Sequence, residues 1–318
     1  MSRRRRRNGA ILGTVGGILA LLCLLVTVAS HVELPFPFPT WDQIFDGTGL
    51  KESRPVIGAD VEGGITVHVI DVGQGESILI KTDSGNVLID AGENDQGPTV
   101  MDYLQSQGVE TIDYFVGTHP HSDHIGGMDY IIEHMDVKEV VMSDIPDSIL
   151  PTTKTFQDVL AAVQKKNLEI TVVEPGDSFD LGPVHFAVLA PIKAYDDLND
   201  VSVVLKMTYG ERSFLFPGDA EKTSEKDMAS SGKDLSADVL VAGHHGSRTS
   251  SSNAFLDKVN PAYVAISCGK DNSYGHPHKE TLENLETRKI AVNRTDEEGS
   301  IIYLTDGKNI AVQTEKAA

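Results

Sequence analysis

Residues 118–127 read Thr-His-Pro-His-Ser-Asp-His-Ile-Gly-Gly, with three imidazoles and a carboxylate between His119 and His124. The apolar run Ile112 to Val116 before them predicts a strand, and Met128 to Met135 after the Gly-Gly pair predicts a helix. On an extended segment His119 and His121, two apart, point the same way and can grip one divalent ion. Asp123 and His124, where the chain turns into the helix, can grip a second ion a few ångströms away. That is the spacing a two-metal hydrolytic site needs. The competing reading is a solvated His-rich loop, and against it stands the recurrence of similar segments downstream.

Asp219, in Pro217-Gly218-Asp219-Ala220-Glu221, follows an apolar strand and precedes a helix, where its carboxylate could bridge two cations or cap the helix. Gly243-His244-His245-Gly246-Ser247 closes another strand. Neighbours on a strand face opposite ways, so one of His244 and His245 is expected on metal and the other on substrate or protein. His276, in Tyr274-Gly275-His276-Pro277-His278, can contact an anion or act as a general acid. Two cations bridged by Asp219 would lower the pKa of a shared water toward neutrality. Asp123, His245 and His276 are therefore the expected catalytic residues, with His276 or the unligated member of the His244-His245 pair protonating the leaving oxygen. Lys270, Ser247 and Arg248 are candidates to hold substrate oxygens. Asp90 is assigned to hydrogen bonds that hold the metal loop, while Glu76, Glu221, Asp196 and Asp197 read as solvated surface.

These segments need strands to project them. Strands are expected at Ile65 to Val72, Ser77 to Lys81 and Asn86 to Ile89, a meander, followed by alternating helices and strands to Met142. A second half carries helix Phe156 to Lys166 and strands through Ser213 to Pro217, Ala237 to Ala242 and Ala262 to Ser267. Helix Lys279 to Arg288 and strands at Ile290, Ser300 and Ile310 close the chain. A mixed sheet in each half, with helices between strands, implies two sheets face to face with helices outside. His134 and His185 fall on a helix and a strand remote from the motifs and read as structural.

The chain has 318 residues, enough for one large domain. Arg3 to Arg7 is an unbroken basic run, and Ala10 to Ala29 is an uncharged, mostly apolar run of about 20 residues, long enough to cross a bilayer. The positive-inside rule leaves those arginines in the cytoplasm and exports the rest. We therefore expect a membrane anchor over 1–30, or a signal peptide cleaved near Val28-Ala29-Ser30 to give a secreted protein. A proline-containing linker is expected over 31–64 and a catalytic domain over 65–318. Beyond Cys23 in the apolar run only Cys268 remains, so no internal disulfide can form. Without the five arginines, 22 basic residues face 47 acidic ones, a formal charge of −25. Such a surface repels polyanions at long range, so nucleic-acid affinity must come from the metal site and local cations.

The segments His-x-His-x-Asp-His, Gly-Asp-Ala-Glu and His-His-Gly-Ser together resemble the metallo-β-lactamase fold superfamily. Asp71-Val72-Gly73-Gln74-Gly75, Asp90-Ala91-Gly92, Asn199-Asp200-Val201-Ser202 and Gly269 to His278 extend the resemblance to its ComEC group. That group comprises the extracytoplasmic hydrolase-like domain of a bacterial DNA-uptake channel protein and its stand-alone relatives. The resemblance covers roughly Ile65 to Gln313 and implies an α/β fold, an αββα sandwich, with a dinuclear, usually zinc, site at one edge of the sheets. Two departures stand out. The single membrane segment is not a channel, and no histidine occupies the place where many members put a third imidazole on the first metal. Asn199-Asp200 stands there, so a looser first site, with manganese as an alternative to zinc, is expected.

The expectation is thus a membrane-anchored, extracytoplasmic hydrolase with two divalent ions, most simply a phosphodiesterase or nuclease. Its partner is a phosphodiester substrate, single-stranded DNA among the candidates. The alternatives are hydrolysis of a choline-phosphate ester or lactone, or a catalytically weak DNA-handling or scaffold module of a competence system.

Overall fold

The computed structural model describes residues 64–316. The arginine run, the apolar segment and nearly all of the expected linker lie outside the described residues. Among those described, no helix is long and apolar enough to cross a membrane.

Strands β1 (Ile65–Val69), β2 (Ile78–Thr82) and β3 (Gly85–Ile89) form the expected antiparallel meander. Helix α1 (Gly97–Ser106) then leads to β4 (Thr111–Gly117), parallel to β3. The short helix α2 (Ser122–Ile125) and α3 (Met128–His134) lead to β5 (Asp136–Ser143), and α4 (Lys154–Lys166) to β6 (Ile170–Val173), both again parallel to the strand before. Parallel neighbours require such crossovers, because a tight turn cannot bring the chain back to the same end of the sheet.

The second sheet repeats the plan. An antiparallel run of β7 (Ser178–Leu181), β8 (Val184–Ala190), β9 (Val204–Tyr209) and β10 (Arg212–Phe216) is followed by three parallel strands. These are β11 (Val239–Val241), β12 (Tyr263–Ile266) and β13 (Ala291–Arg294), reached through α5 (Lys222–Ser230), α6 (Asn253–Val259) and α7 (Lys279–Thr287). After the short α8 (Thr295–Glu298), β14 (Ile301–Thr305) and β15 (Ile310–Thr314) return to the first sheet, where β14 lies antiparallel to β1. The expected division of one sheet per half is therefore corrected. The strands run β15-β14-β1-β2-β3-β4-β5-β6 in one sheet and β13-β12-β11-β10-β9-β8-β7 in the other.

Side-chain alternation along the strands makes the layers. Val67, Val69, Ile78, Ile80, Val87 and Ile89 turn inward to meet Phe214, Phe216, Val239, Val241 and Tyr263 of the second sheet. Leu79, Leu88, Phe115 and Val140 turn outward under α1, α3 and α4. Leu215, Leu240, Val264 and Ile266 do the same under α5, α6 and α7. Burying both faces of the central strands gives four layers, helix, sheet, sheet, helix, which is the expected αββα order. Full burial of each large aliphatic or aromatic side chain is worth about 1.5–3 kcal/mol. The edge that matters for function is where β3, β4, β10, β11 and β12 end.

Candidate metal centre

Asp90 follows β3 in left-handed backbone, φ 56°. Its fully buried carboxylate accepts from the Thr118 amide (2.8 Å), the Thr118 hydroxyl (2.6 Å) and His124 Nδ1 (2.6 Å). It thus holds the loop after β4 and fixes the His124 tautomer, so that Nε2 presents a lone pair. His245 is fixed similarly, Nδ1 donating to the Ser267 carbonyl at 3.0 Å. His119 Nδ1 lies 3.2 Å from the Thr118 hydroxyl.

The opposite ring atoms converge. His119 Nε2 is 3.0 Å from His121 Nδ1, and His124 Nε2 is 3.2 Å from His245 Nε2. His245 Nε2 is also 3.3 Å from Asp123 Oδ2. Asp219, buried between these groups, places Oδ2 3.8 Å from His119 Nε2, and Oδ1 3.1 Å from His124 Nε2 and 3.7 Å from His245 Nε2. His119, His121 and Asp219 form one cluster and Asp123, His124 and His245 another, each compact enough to hold an ion. Bare imidazole nitrogens this close repel unless a cation or proton lies between them, and metal–nitrogen bonds of about 2.0–2.1 Å suit the spacing. Asp219 Oδ1 has no hydrogen-bond donor despite its burial. The donor set therefore fits divalent ions.

The electrostatics agree. Burial opposes charge on His124 and on His245, but Asp219, with Asp90 for the former and Asp123 for the latter, outweighs it and raises both. Burial likewise opposes ionisation of Asp219, yet the surrounding imidazoles hold its pKa well below the carboxylate range. The cavity favours an anionic carboxylate core around positive charge.

Other candidates fall out differently from expectation. His244 and His245 sit not on a strand but in a 3-10 turn, both with positive φ, 51° and 54°. Both rings consequently face Asp219 rather than opposite ways, His244 Nε2 lying 3.5 Å from Asp219 Oδ2. Glu221 is not solvated surface: its Oε1 lies 3.1 Å from His244 Nδ1 and accepts from Asn199 Nδ2 at 3.4 Å. Glu76 is buried against His124 and Asp90, and burial pushes its carboxyl up to about 8. Both were missed for one reason, that their carboxylates are shielded by segments distant in sequence. The available signal was adjacency to a motif, Glu221 two residues beyond Asp219 and Glu76 beside a Gly-x-Gly turn. Gly75 there has φ 136°, and a Cβ on it would come 2.5 Å from the Asp123 carbonyl.

Asp200 is not placed as an oxygen ligand, because its Oδ1 accepts from the Glu221 and Ser224 amides at the start of α5. Asn199 Oδ1 is buried without a partner. Asp196 and Asp197 are exposed as expected, and His134 and His185 bond locally to the Tyr130 carbonyl and Asp180. Ser247 is buried, its hydroxyl paired with that of Thr249 at 2.9 Å. His276 packs among His244, His245, His278 and Tyr274, and burial followed by the neighbouring imidazoles lowers it to about 4. Arg248 and Lys270 are exposed, and neither side chain forms an ion pair among the described residues.

The sequence matches the Metallo-beta-lactamase superfamily over residues 70–270. It is 34% identical over 257 residues to ComE operon protein 3 of Bacillus subtilis (strain 168), covering 74% of this chain and 32% of that one. It is 31% identical over 291 residues to Competence protein ComA of Neisseria gonorrhoeae, covering 90% of this chain and 38% of that one. The chain thus spans only about a third of these relatives' length. In fold it is similar to a CmlA beta-hydroxylase E377D mutant, with a TM-score of 0.51 at 14% identity over 88% of this chain and 62% of that one. With the sequence match, the sandwich and the two ligand clusters in agreement, the chain belongs to the metallo-β-lactamase superfamily, and its curated relatives are ComEC-like competence proteins.

Proposed function

We propose that the protein is a two-metal hydrolase of phosphodiesters, with nucleic acid as the source of the phosphodiester. The observation that carries this reading is Asp219, whose two oxygens face different ligand clusters. His119, His121 and Asp219 would hold one ion; Asp123, His124, His245 and Asp219 would hold the other. Zinc suits both imidazole-rich sets, with manganese an alternative at the first. When bound, such a pair of ions supplies Lewis acidity and an activated water for in-line displacement at phosphorus.

The chain's own residues orient the substrate and move the proton. Glu221 accepts from His244 Nδ1 and so orients the ring, leaving Nε2 as the atom that hands a proton to the leaving oxygen. His276, kept neutral by its surroundings, lines the substrate side instead. Arg248 and Lys270 hold non-bridging oxygens. The competence proteins among its relatives support DNA over a choline-phosphate ester or a lactone.

The test is to strip the protein with chelator, reload it with zinc or manganese, and measure metal content beside cleavage of bis-p-nitrophenyl phosphate, single-stranded DNA, a choline-phosphate ester and a lactone. Cleavage of the diesters that returns with up to two ions per chain is expected. Fully loaded protein that hydrolyses no phosphodiester overturns the reading.

A further inference from the structure

Tyr274 is 62% exposed, on the loop between β12 and α7. The other exposed large apolar residues among those described, Leu150, Leu160 and Val172, belong to the α4–β6 side of the first sheet. The loop does not leave the ring free to fold away. Asn272 Oδ1 accepts from the Tyr274 amide at 3.2 Å and the His276 amide at 3.0 Å, while its Nδ2 donates to the carbonyls of Gly269 (2.8 Å) and His276 (2.5 Å).

The ring is the outermost of a row that leads to the metal centre. Tyr274 stacks on His276 with centroids 5.6 Å apart at 22°. His276 lies 6.1 Å from His245 at 29°, and His245 5.0 Å from His124. A planar group resting on the outer face of Tyr274 would thus lie beyond His276, with two rings between it and His245 of the ligand cluster. Lys270 lies four residues before Tyr274 on the same loop, and the Arg248 amide donates to His278 Nδ1 at 3.1 Å, so two exposed cations without an ion pair among the described residues are carried by this loop and the segment bonded to it.

We infer that Tyr274 is the platform on which a base of the bound strand stacks outside the metal centre, so that the preferred substrate is single-stranded nucleic acid. The inference deepens the phosphodiesterase reading and rests on it. Base–aromatic stacking tolerates any sequence because every base has a π-face, and it requires bases not already stacked in a duplex. A quaternary ammonium would also lie on a tyrosine face, but Lys270 and Arg248 repel it while attracting phosphate.

The experiment compares an oligodeoxythymidylate with an abasic strand of equal length, measuring both cleavage and equilibrium binding by fluorescence anisotropy, for wild type, Tyr274→Ala and Tyr274→Phe. Stacking is worth about 1–3 kcal/mol per base. The ratio of kcat/KM for the base-bearing strand to that for the abasic strand should therefore fall about 5- to 150-fold in Tyr274→Ala and stay near wild type in Tyr274→Phe. Binding of the base-bearing strand should weaken in parallel. An unchanged ratio, whether because both strands lose equally or because neither loses, overturns the inference. Absence of any cleavage by wild type instead strikes the phosphodiesterase reading, and the binding ratio then decides the stacking claim alone.

Discussion

Two consecutive non-glycine residues in left-handed backbone, His244 and His245, cost about 1–2 kcal/mol each relative to ordinary conformations. The His244 amide donates to the Gly218 carbonyl at 3.1 Å, which ties the strained turn to the segment carrying Asp219. The strain brings both rings to one carboxylate, His245 into a ligand cluster and His244 beside it with Glu221 behind. The roles separate by experiment. His244→Ala is expected to keep wild-type metal content while kcat falls about 10²- to 10⁴-fold, the usual loss for a positioned acid. Glu221→Gln, which retains an acceptor for Nδ1, should lose less. Loss of an ion in proportion to rate in His244→Ala would make His244 a ligand and defeat the proton-transfer role.

At the scale of elements, β1 carries a polar contact to the helix outside its sheet. Its inward residues Val67 and Val69 enter the inter-sheet core, while the buried His68 bonds Tyr103 of α1 (2.9 Å) and Thr66 (2.7 Å). Burial, assisted by Lys81, lowers His68 from 6.5 to about 4. A pKa depressed by folding means that the folded state binds the proton less readily than the unfolded chain. The stabilisation is accordingly present above pH 6.5 and is lost as pH falls toward 4. By pH 4 the loss should reach about 3 kcal/mol. Urea denaturation at pH 7 and pH 4 tests this: wild type should lose about that much more stability than His68→Gln, whereas equal losses would show that His68 is not held neutral.

Over the whole molecule the charge is strongly negative, −20 in formal terms, so long-range forces oppose a phosphate backbone. Recognition that depends on a metal centre, one aromatic face and two rim cations should give weak, salt-tolerant binding. Each phosphate neutralised on a single strand contributes a log-log salt slope of about −0.7, so Lys270 and Arg248 together predict about −1.4. Anisotropy titrations of single-stranded DNA across salt concentrations measure it. A slope several times steeper would require a basic track beyond Lys270 and Arg248.

The residues able to bind metal, their order and the four-layer fold were legible in the sequence because each rests on local chemistry. His-x-His-x-Asp-His reads as ligands whatever surrounds it, and the period-two alternation in β1, β2 and β3 already states which side chains face a core. The hydrogen-bonding role of Asp90 was legible for the same reason, since it follows a strand beside the metal loop. What only the tertiary structure decided depends on contacts between distant segments. Gly218 and Glu221 set the direction of His244, against the alternation that a strand would impose. Glu76 is buried because Gly75 lets its turn approach Asp123, while the Ser267 hydroxyl donates to the Gly75 carbonyl at 2.7 Å. Strands β14 and β15 belong to the first sheet because β1 offers an unpaired edge there, and backbone hydrogen bonds are satisfied by whichever edge is open rather than by the nearest in sequence.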